Sequence, residues 1–356
     1  MPSKKLILSD IGEFNLISNL MRKADLRLPS QLIGAGDDAA VVPFSWLNES
    51  DSAAKGYLVV SSDIMVENKD FRLSYFSGSD LGQKLLAVNL SDLAAMGAKP
   101  KAFIINLQAP ACLDSGIVEQ IYLGLQEMSR SYGVYLLGGD TSEANDFSLG
   151  LTVLGYSEQM PLLRKGSKSG DDIWVSGTLG MAHLGFMLLE NALPADYESL
   201  YTNSCVRKFL TPQPRVELGM FLLQSGIANC AIDISDGLLQ DLGHILRSSE
   251  KRAEILVAQI PADTSDPYKL TAMSAGEDFE LLFTASADKR GDIQKYSEQS
   301  GLALSLIGRV SDLGEAEGLI DLVNQEGDKR SSPEQYFANH NRPFSSGFSH
   351  FKVENR

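Results

Sequence analysis

Short carboxylates recur in this chain where apolar runs give way to glycine or serine. Asp37 and Asp38 stand in GAGDDAA, Asp63 in VVSSD, Asp140 in GGDTS, and Asp233 and Asp236 in DISDG. Each alone reads as a turn former or helix cap, because Asp bonds its own backbone and tolerates tight turns. Their repetition at strand ends carries more meaning. Mg²⁺ takes oxygen ligands and is commonly held by one or two carboxylates together with substrate phosphates, so this many Asp residues imply more than one ion. Neighbouring glycines let backbone N–H groups approach an anion, which makes GAGDD and GGDTS candidates for holding metal and phosphate together. Asp92 is a separate case. It interrupts the leucine-rich stretch LLAVNLSDLAAMG, where a carboxylate lowers helix propensity and is costly to bury unpaired. With Asn89 one turn earlier it forms a polar spot on an apolar element.

The elements that must position these residues alternate between strand and helix signals, which predicts an α/β (α+β) architecture. Strands are expected at 57 to 66, 101 to 107, 133 to 140 and 149 to 156. A helix containing Ile117, Ile121 and Leu125 lies between the second and third. Asp80 is read as the N-cap of the leucine-rich helix and Gly97 as its stop. The polar, Gly- and Pro-broken stretch SEQMPLLRKGSKSGDD marks a domain boundary, giving domains at 1–160 and 161–356. Beyond it IWVSGTLG, CAIDISDG, EILVA, FELLFTA and LSLIGRV read as strands, and GMAHLGFMLLE and GLLQDLGHILRS as helices.

Composition narrows the chemistry. The 356 residues carry a formal net charge of -15, so nucleic acid is not expected as a partner and a phosphate substrate needs cations as intermediaries. Cys112, Cys205 and Cys230 lack CxxC spacing and do not group with the four histidines, which argues against a zinc or disulfide framework. No apolar run approaches membrane-spanning length, and the N-terminus has no targeting signal, so a cytoplasmic protein is expected. The G-x-x-x-x-G-K-[ST], H-R-D and D-F-G signatures are absent, and GAGDDAA lacks the third glycine of a dinucleotide fingerprint. From the residues alone, the reading stops at multi-metal phosphate chemistry on an α/β protein.

Eight motifs, read in order, carry a resemblance. They are GEFNLI (12 to 17), GAGDDAAVV (34 to 42), VVSSDIMVENKDF (59 to 71), LAVNLSDLAAMGAKP (86 to 100), YGVYLLGGDTS (132 to 142), RKGSKSGDDIWVSGTLG (164 to 180), AIDISDGLLQDLGHI (231 to 245) and SAGEDFELLFT (274 to 284). Together they resemble the thiamine-monophosphate kinases, which share the aminoimidazole ribonucleotide synthetase-like fold. The resemblance implies a two-domain chain whose N-terminal ATP- and Mg-binding domain pairs with its copy in a homodimer. A C-terminal α/β domain, with a tail that covers the substrate, would close the cleft. It implies ATP-dependent phosphorylation of thiamine monophosphate to thiamine diphosphate, assisted by several Mg²⁺ ions. Metal ligands would be Asp38, Ser61, Ser62, Asp63, Asp92, Asp140, Asp233 and Asp236. ATP would be contacted by Tyr132, Gly139, Asp140, Arg164 and Ser235. The thiamine portion would meet Glu277, with Phe348 and Phe351 covering its rings. Among these, Asp38, Asp63, Asp140 and Asp236 are the residues expected to carry catalysis.

Two positions depart from the family pattern. Asp70 stands where the family commonly has a histidine near the substrate, and Phe348 where it often has Trp or Tyr. Since an ionised carboxylate would repel a phosphate, Asp70 is expected either to face the cationic thiamine portion, the favoured arrangement, or to be turned away with Lys69 serving the phosphate. The acceptor phosphate, with a second pKa of about 6, is already largely dianionic at neutral pH and needs no general base. Direct in-line transfer, with charge neutralised by metal ions, is therefore expected over a phosphoenzyme route. The alternatives are another ATP-using enzyme of the superfamily, or a non-catalytic sensor of nucleotide or thiamine phosphate. A selenophosphate synthetase would want a reactive cysteine near its start, whereas the first here is Cys112.

Overall fold

The computed structural model describes residues 20, 28–34, 36–47, 55–191, 200–263, 269–314, 318–324, 330–340, 342 and 344. The GEFNLI motif, Phe348 and Phe351 lie outside the described residues. The chain begins with β1 (Ala40–Pro43), α1 (Phe44–Leu47) and β2 (Tyr57–Val66). Next come α2 (Gly78–Ala95), β3 (Lys99–Ala109), α3 (Ser115–Tyr132), β4 (Tyr135–Glu143) and β5 (Ser148–Ser157). These strands form a five-stranded sheet in the order β1-β2-β5-β3-β4, antiparallel except for the β3/β4 pair.

The second stretch runs through β6 (Asp172–Ser176), α4 (Met181–Asn191), α5 (Ser204–Leu210), α6 (Val216–Ser225), β7 (Ala228–Asp233), α7 (Leu238–Ser249) and β8 (Lys251–Leu256). It continues with α8 (Leu270–Ser274), β9 (Leu281–Ala285), α9 (Arg290–Ser300), β10 (Leu304–Asp312), β11 (Ile320–Val323), β12 (Arg330–Ser331) and α10 (Pro333–Asn339). Its sheet has seven strands in the order β12-β11-β8-β10-β6-β9-β7. The central strands β6 and β9 are buried along their whole length, as expected for a sheet covered on both faces.

Alternation along those strands divides the apolar interior in two. Trp174 and Phe283, whose rings stack 6.4 Å apart, point into a core shared with α2 and the five-stranded sheet. Ile173, Val175 and Leu282 point the other way, into a second core with α7. Successive side chains on a strand face opposite sides, so one strand serves both cores. Helix α2 thus lies between the two sheets, with fifteen of its residues buried.

Ser77, not Asp80, is the N-cap of α2. Its hydroxyl accepts the Asp80 N–H and donates to the Asp80 carboxylate at 2.6 Å. Asp80 is the third helical residue, where its charge suits the helix N-terminus and where it also pairs with Arg207 at 2.8 Å. Two glycines set how closely α2 is held. A Cβ on Gly82 would stand 2.0 Å from the Ile121 carbonyl oxygen, and one on Gly219 of α6 would stand 1.8 Å from that of Ala94.

The edge strand β4 contrasts with this interior. All nine of its residues are exposed, with Tyr135 at 72% and Leu137 at 65%. Leu123 of α3 is 60% exposed, and a groove of about 600 Å³ between α3 and β4 is lined by Tyr122, Leu123, Tyr135 and Leu136. The strand is expected from GVYLLGGD, whose Val134, Tyr135, Leu136 and Leu137 follow one another without a polar break and so make both faces apolar. Among the described residues none covers this strand.

Candidate active site

The carboxylates of Asp38, Asp92 and Asp233 come from a loop before β1, from α2 and from the end of β7, and each offers an oxygen within 4.8 Å of the others. Their supports are local. Ser61 of β2 donates its hydroxyl to Asp92 at 2.5 Å, and the same oxygen lies 3.2 Å from the Asp38 carbonyl oxygen. Ser91, one residue before Asp92, donates to Asp233 at 2.6 Å. Helix α2 therefore supplies one acid and fixes another. Arg164, from the segment between the two sheets, brings its Nη2 to 2.7 Å and its Nε to 3.2 Å from Asp38 Oδ1. Its backbone N–H donates to Asp37.

The electrostatics are those of a site built for cations. Burial pushes Asp92 well above the usual carboxylate range, and the charges of Asp63, Asp233 and Asp38 push it further. Burial and Asp38 push Asp233 up to about 8. Burial and Asp38 likewise push Asp37 up to about 6. Asp38 is raised by burial although Arg164 opposes the shift. Buried like charges need a counter-charge. Asp38 Oδ2 is buried with no hydrogen-bond partner, and the donor set is oxygen only, so these residues fit a hard divalent cation.

That arrangement has a measurable pH signature. Asp233 carries its proton in the fold to about pH 8, but its ordinary value is 3.8. Without metal, its contribution to stability is therefore full below about pH 4 and is lost as pH rises towards 8. Metal binds the deprotonated ligands. The increase in melting temperature produced by Mg²⁺ is thus expected to be larger at pH 8 than at pH 6. Calorimetric melts at both pH values check this, and a shift that shrinks on raising the pH would contradict it.

Of the other residues singled out in the sequence, Asp63 lies near enough for its charge to raise both Asp92 and Asp233. Ser62 is on the same strand and exchanges a hydrogen bond with Thr152 at 2.9 Å. Asp236 groups instead with Asp241 and His244, and Asp241 accepts the N–H groups of Asp236 and Gly237. Gly139 and Asp140 are exposed on β4. Register places Gly139 in line with Asp63 across Ile105 and Leu151, three strand spacings or about 14 Å away. Tyr132, at the end of α3, donates to the Pro214 carbonyl at 3.3 Å. Asp70 Oδ2 accepts the Val66 N–H at 2.8 Å, closing the turn after β2. Asn89 is fully buried, donating to the Leu85 carbonyl, and its own Oδ1 has no partner.

The loop carrying Glu277 is laced to the DISDG loop. The Glu277 N–H donates to Ser235 O at 2.8 Å, Phe279 N–H to Ile234 O at 2.9 Å, and Ile234 N–H to Glu280 O at 2.8 Å. Glu277 and Phe279 both have positive φ, at 73° and 49°, a costly conformation for such residues. Asp278 is buried and accepts the Gly180 and Ala182 N–H groups where α4 begins. The same sequence reasoning missed Ser91 and Lys84. The signal available for Lys84 was a lysine inside a leucine-rich helix, the anomaly that drew attention to Asp92.

The model of the AIR synthase related protein, N-terminal domain, matches residues 36–157. A thiamine-monophosphate kinase of Haemophilus influenzae is 35% identical over 356 residues, covering 96% of this chain and 98% of its own. The chain belongs to the thiamine-monophosphate kinase family. A member of that family is an enzyme, a kinase, and the fold is the one the family shares. Two solved structures agree. One, described as AaThiL complexed with AMPPCP and TMP, superposes with a TM-score of 0.76 at 26% identity, covering 98% of this chain and 100% of that one. The thiamine-monophosphate kinase of Stenotrophomonas maltophilia K279a gives 0.67 at 34% identity, with coverage of 86% and 95%. Among the described residues, no helix is long and apolar enough to cross a membrane.

Proposed function

We propose that this chain transfers the γ-phosphoryl group of ATP directly to the phosphate of thiamine monophosphate, giving thiamine diphosphate. The observation that carries the proposal is the convergence of Asp38, Asp92 and Asp233 from three distant stretches in a chain so similar to thiamine-monophosphate kinases. A solved relative described with AMPPCP and TMP supports the choice of ATP and thiamine monophosphate.

Asp38, Asp63, Asp92 and Asp233, with Ser61 and Ser62, would hold Mg²⁺, and Asp140 and Asp236 would complete the set. Bound Mg²⁺ supplies charge neutralisation for a triphosphate and a phosphate that otherwise repel each other. The protein's own groups position and orient. Ser61 and Ser91 fix the rotamers of Asp92 and Asp233 by donating to one oxygen of each. Arg164 brings a planar fork of donors beside Asp38, a geometry suited to phosphate oxygens. Tyr132, Gly139 and Ser235 are proposed as further ATP contacts. Glu277, Asp70, Phe348 and Phe351 are proposed on the thiamine side, Asp70 with one oxygen already committed to its turn. No residue need act as general base. His244, the histidine grouped with Asp236, is held at about 4 by burial, Arg164 and Arg247, and so weak a base takes few protons at neutral pH.

Incubation with ATP, Mg²⁺ and thiamine monophosphate, followed by chromatography, is expected to yield thiamine diphosphate. Free thiamine should be a poor acceptor. Vigorous phosphorylation of free thiamine, or none of the monophosphate, would overturn the proposal.

The chain is further proposed to divide into domains at about residue 160, to act in the cytoplasm and to work as a homodimer. The exposed apolar face of β4 and α3 supports the dimer, because an uncovered hydrophobic sheet edge is an aggregation hazard that a second copy removes. Light scattering should give twice the 38.7 kDa chain mass. Leu137→Asp, placing a charge on that face, should shift it to the single mass. A wild-type protein that stays monomeric at micromolar concentration would rule the dimer out.

A further inference from the structure

Among the described residues, Lys84 is the most deeply buried cation, at the junction of the two sheets. It sits in the middle of α2 with its side chain 1% exposed, and its Nζ bonds Glu277 Oε2 at 2.5 Å. The ammonium also lies 3.8 Å from the centroid of the Phe209 ring and 5.5 Å from that of Phe76. Two aromatic faces and one carboxylate thus replace its water, an arrangement in which the carboxylate is indispensable. Glu277 is the less buried partner, its side chain 40% exposed. Its backbone is held at positive φ by the hydrogen bond to Ser235.

We propose that Lys84 is a positioning residue for the substrate: by holding Oε2 of Glu277 it turns Oε1 outward to receive a cationic, hydrogen-bond-donating ring system. The inference rests on the thiamine monophosphate kinase activity proposed above and assigns that site a residue it lacked. Two features of the geometry support it. A carboxylate fixed through one oxygen loses less rotamer freedom when the other binds a ligand. Lys84 is also seven residues before Ser91, close to two helical turns, so the face of α2 that fixes Asp233 also fixes Glu277. Lys84 touches no reacting atom and acts through Glu277.

The test is a kinetic cycle on the full-length protein, with the wild type assayed first. If the wild type fails to phosphorylate thiamine monophosphate, the proposed reaction fails, whatever Lys84 does. If it succeeds, Lys84→Met is expected to raise KM for thiamine monophosphate roughly tenfold, the effect of one lost charge-assisted contact. KM for ATP and kcat should stay within about twofold by the same logic of ground-state binding. Glu277→Gln should do the same, and Lys84→Met with Glu277→Gln should be no worse than either alone. Independent, multiplying effects would overturn the proposal, as would equal losses in KM for both substrates and in kcat, the pattern of general damage to the helix. Lys84→Gln, which keeps a donor at the position, serves if the Met variant does not fold. Should neither fold, Glu277→Gln still decides, since an unchanged KM for thiamine monophosphate there leaves Lys84 nothing to act through.

Discussion

Asp63→Asn, Asp140→Asn and Asp236→Asn are each expected to lower turnover by at least about 100-fold, the scale on which single electrostatic groups matter in catalysis, in a protein that stays folded. Each change removes a charge and keeps the side-chain size. For Asp63 the basis is its position beside Asp92 and Asp233, whose charges it already perturbs. For Asp236 it is the grouping with Asp241 and His244. Asp140 is the more discriminating case, because it stands on an exposed edge strand, three strands across the sheet from β2. A loss there as large as at Asp63 means that the edge and the buried cluster serve one reaction. Steady-state assays across a Mg²⁺ titration measure this, and near-normal turnover in all three variants with unchanged Mg²⁺ dependence would refute the metal assignment.

Glu280→Ala is expected to cost about 3 to 5 kcal/mol, the usual result of breaking a buried ion pair from one side, and to lower the melting temperature by roughly 10 °C. Glu280 is wholly buried. Its carboxylate takes Nε and Nη2 of Arg215 at 2.6 Å each, the Ser176 hydroxyl at 2.6 Å, and Lys208. Burial alone would raise its pKa, yet the bonds and charges of Arg215 and Lys208 hold it below the usual carboxylate range. The stability it confers is therefore present above its ordinary value of 4.5 and is lost as pH falls through the lower folded value. Thermal melts at neutral pH give the size of the effect. A change under about 1 kcal/mol, the range of an exposed pair, would show that the network is not structural.

Much of this was legible in the chain because the signals are local. The leucines of α2 repeat at helical spacing and the helix forms where expected, but it runs 78–95 because its cap is Ser77 rather than Asp80. An Asp three residues after a Ser fits both positions until the backbone is seen. Strands are likewise expected at 57–66 and 149–156, and they run 57–66 and 148–157. Helices α5, α6 and α9 were not identified, since their apolar residues merge with neighbouring runs or are sparse. Pairings such as Arg164 with Asp38, or Lys84 with Glu277, join residues 126 and 193 positions apart, and no periodicity encodes them. The residue types at the site could be read, but their partners depended on how the two sheets meet.

Helix α2, clamped by Gly82 under Ile121 and by Ala94 against Gly219, has consequences for how the gene can vary. Its three working contacts, Lys84 to Glu277, Ser91 to Asp233 and Asp92 to Ser61, occupy fixed angular phases on one rod. Deleting a single codon between 85 and 90 would turn one half of the rod by about 100° against the other, and the clamps leave no slack to absorb the turn. Point changes can wear down the contacts one by one, but a frame-preserving deletion there would uncouple the two ends of the cleft at a stroke.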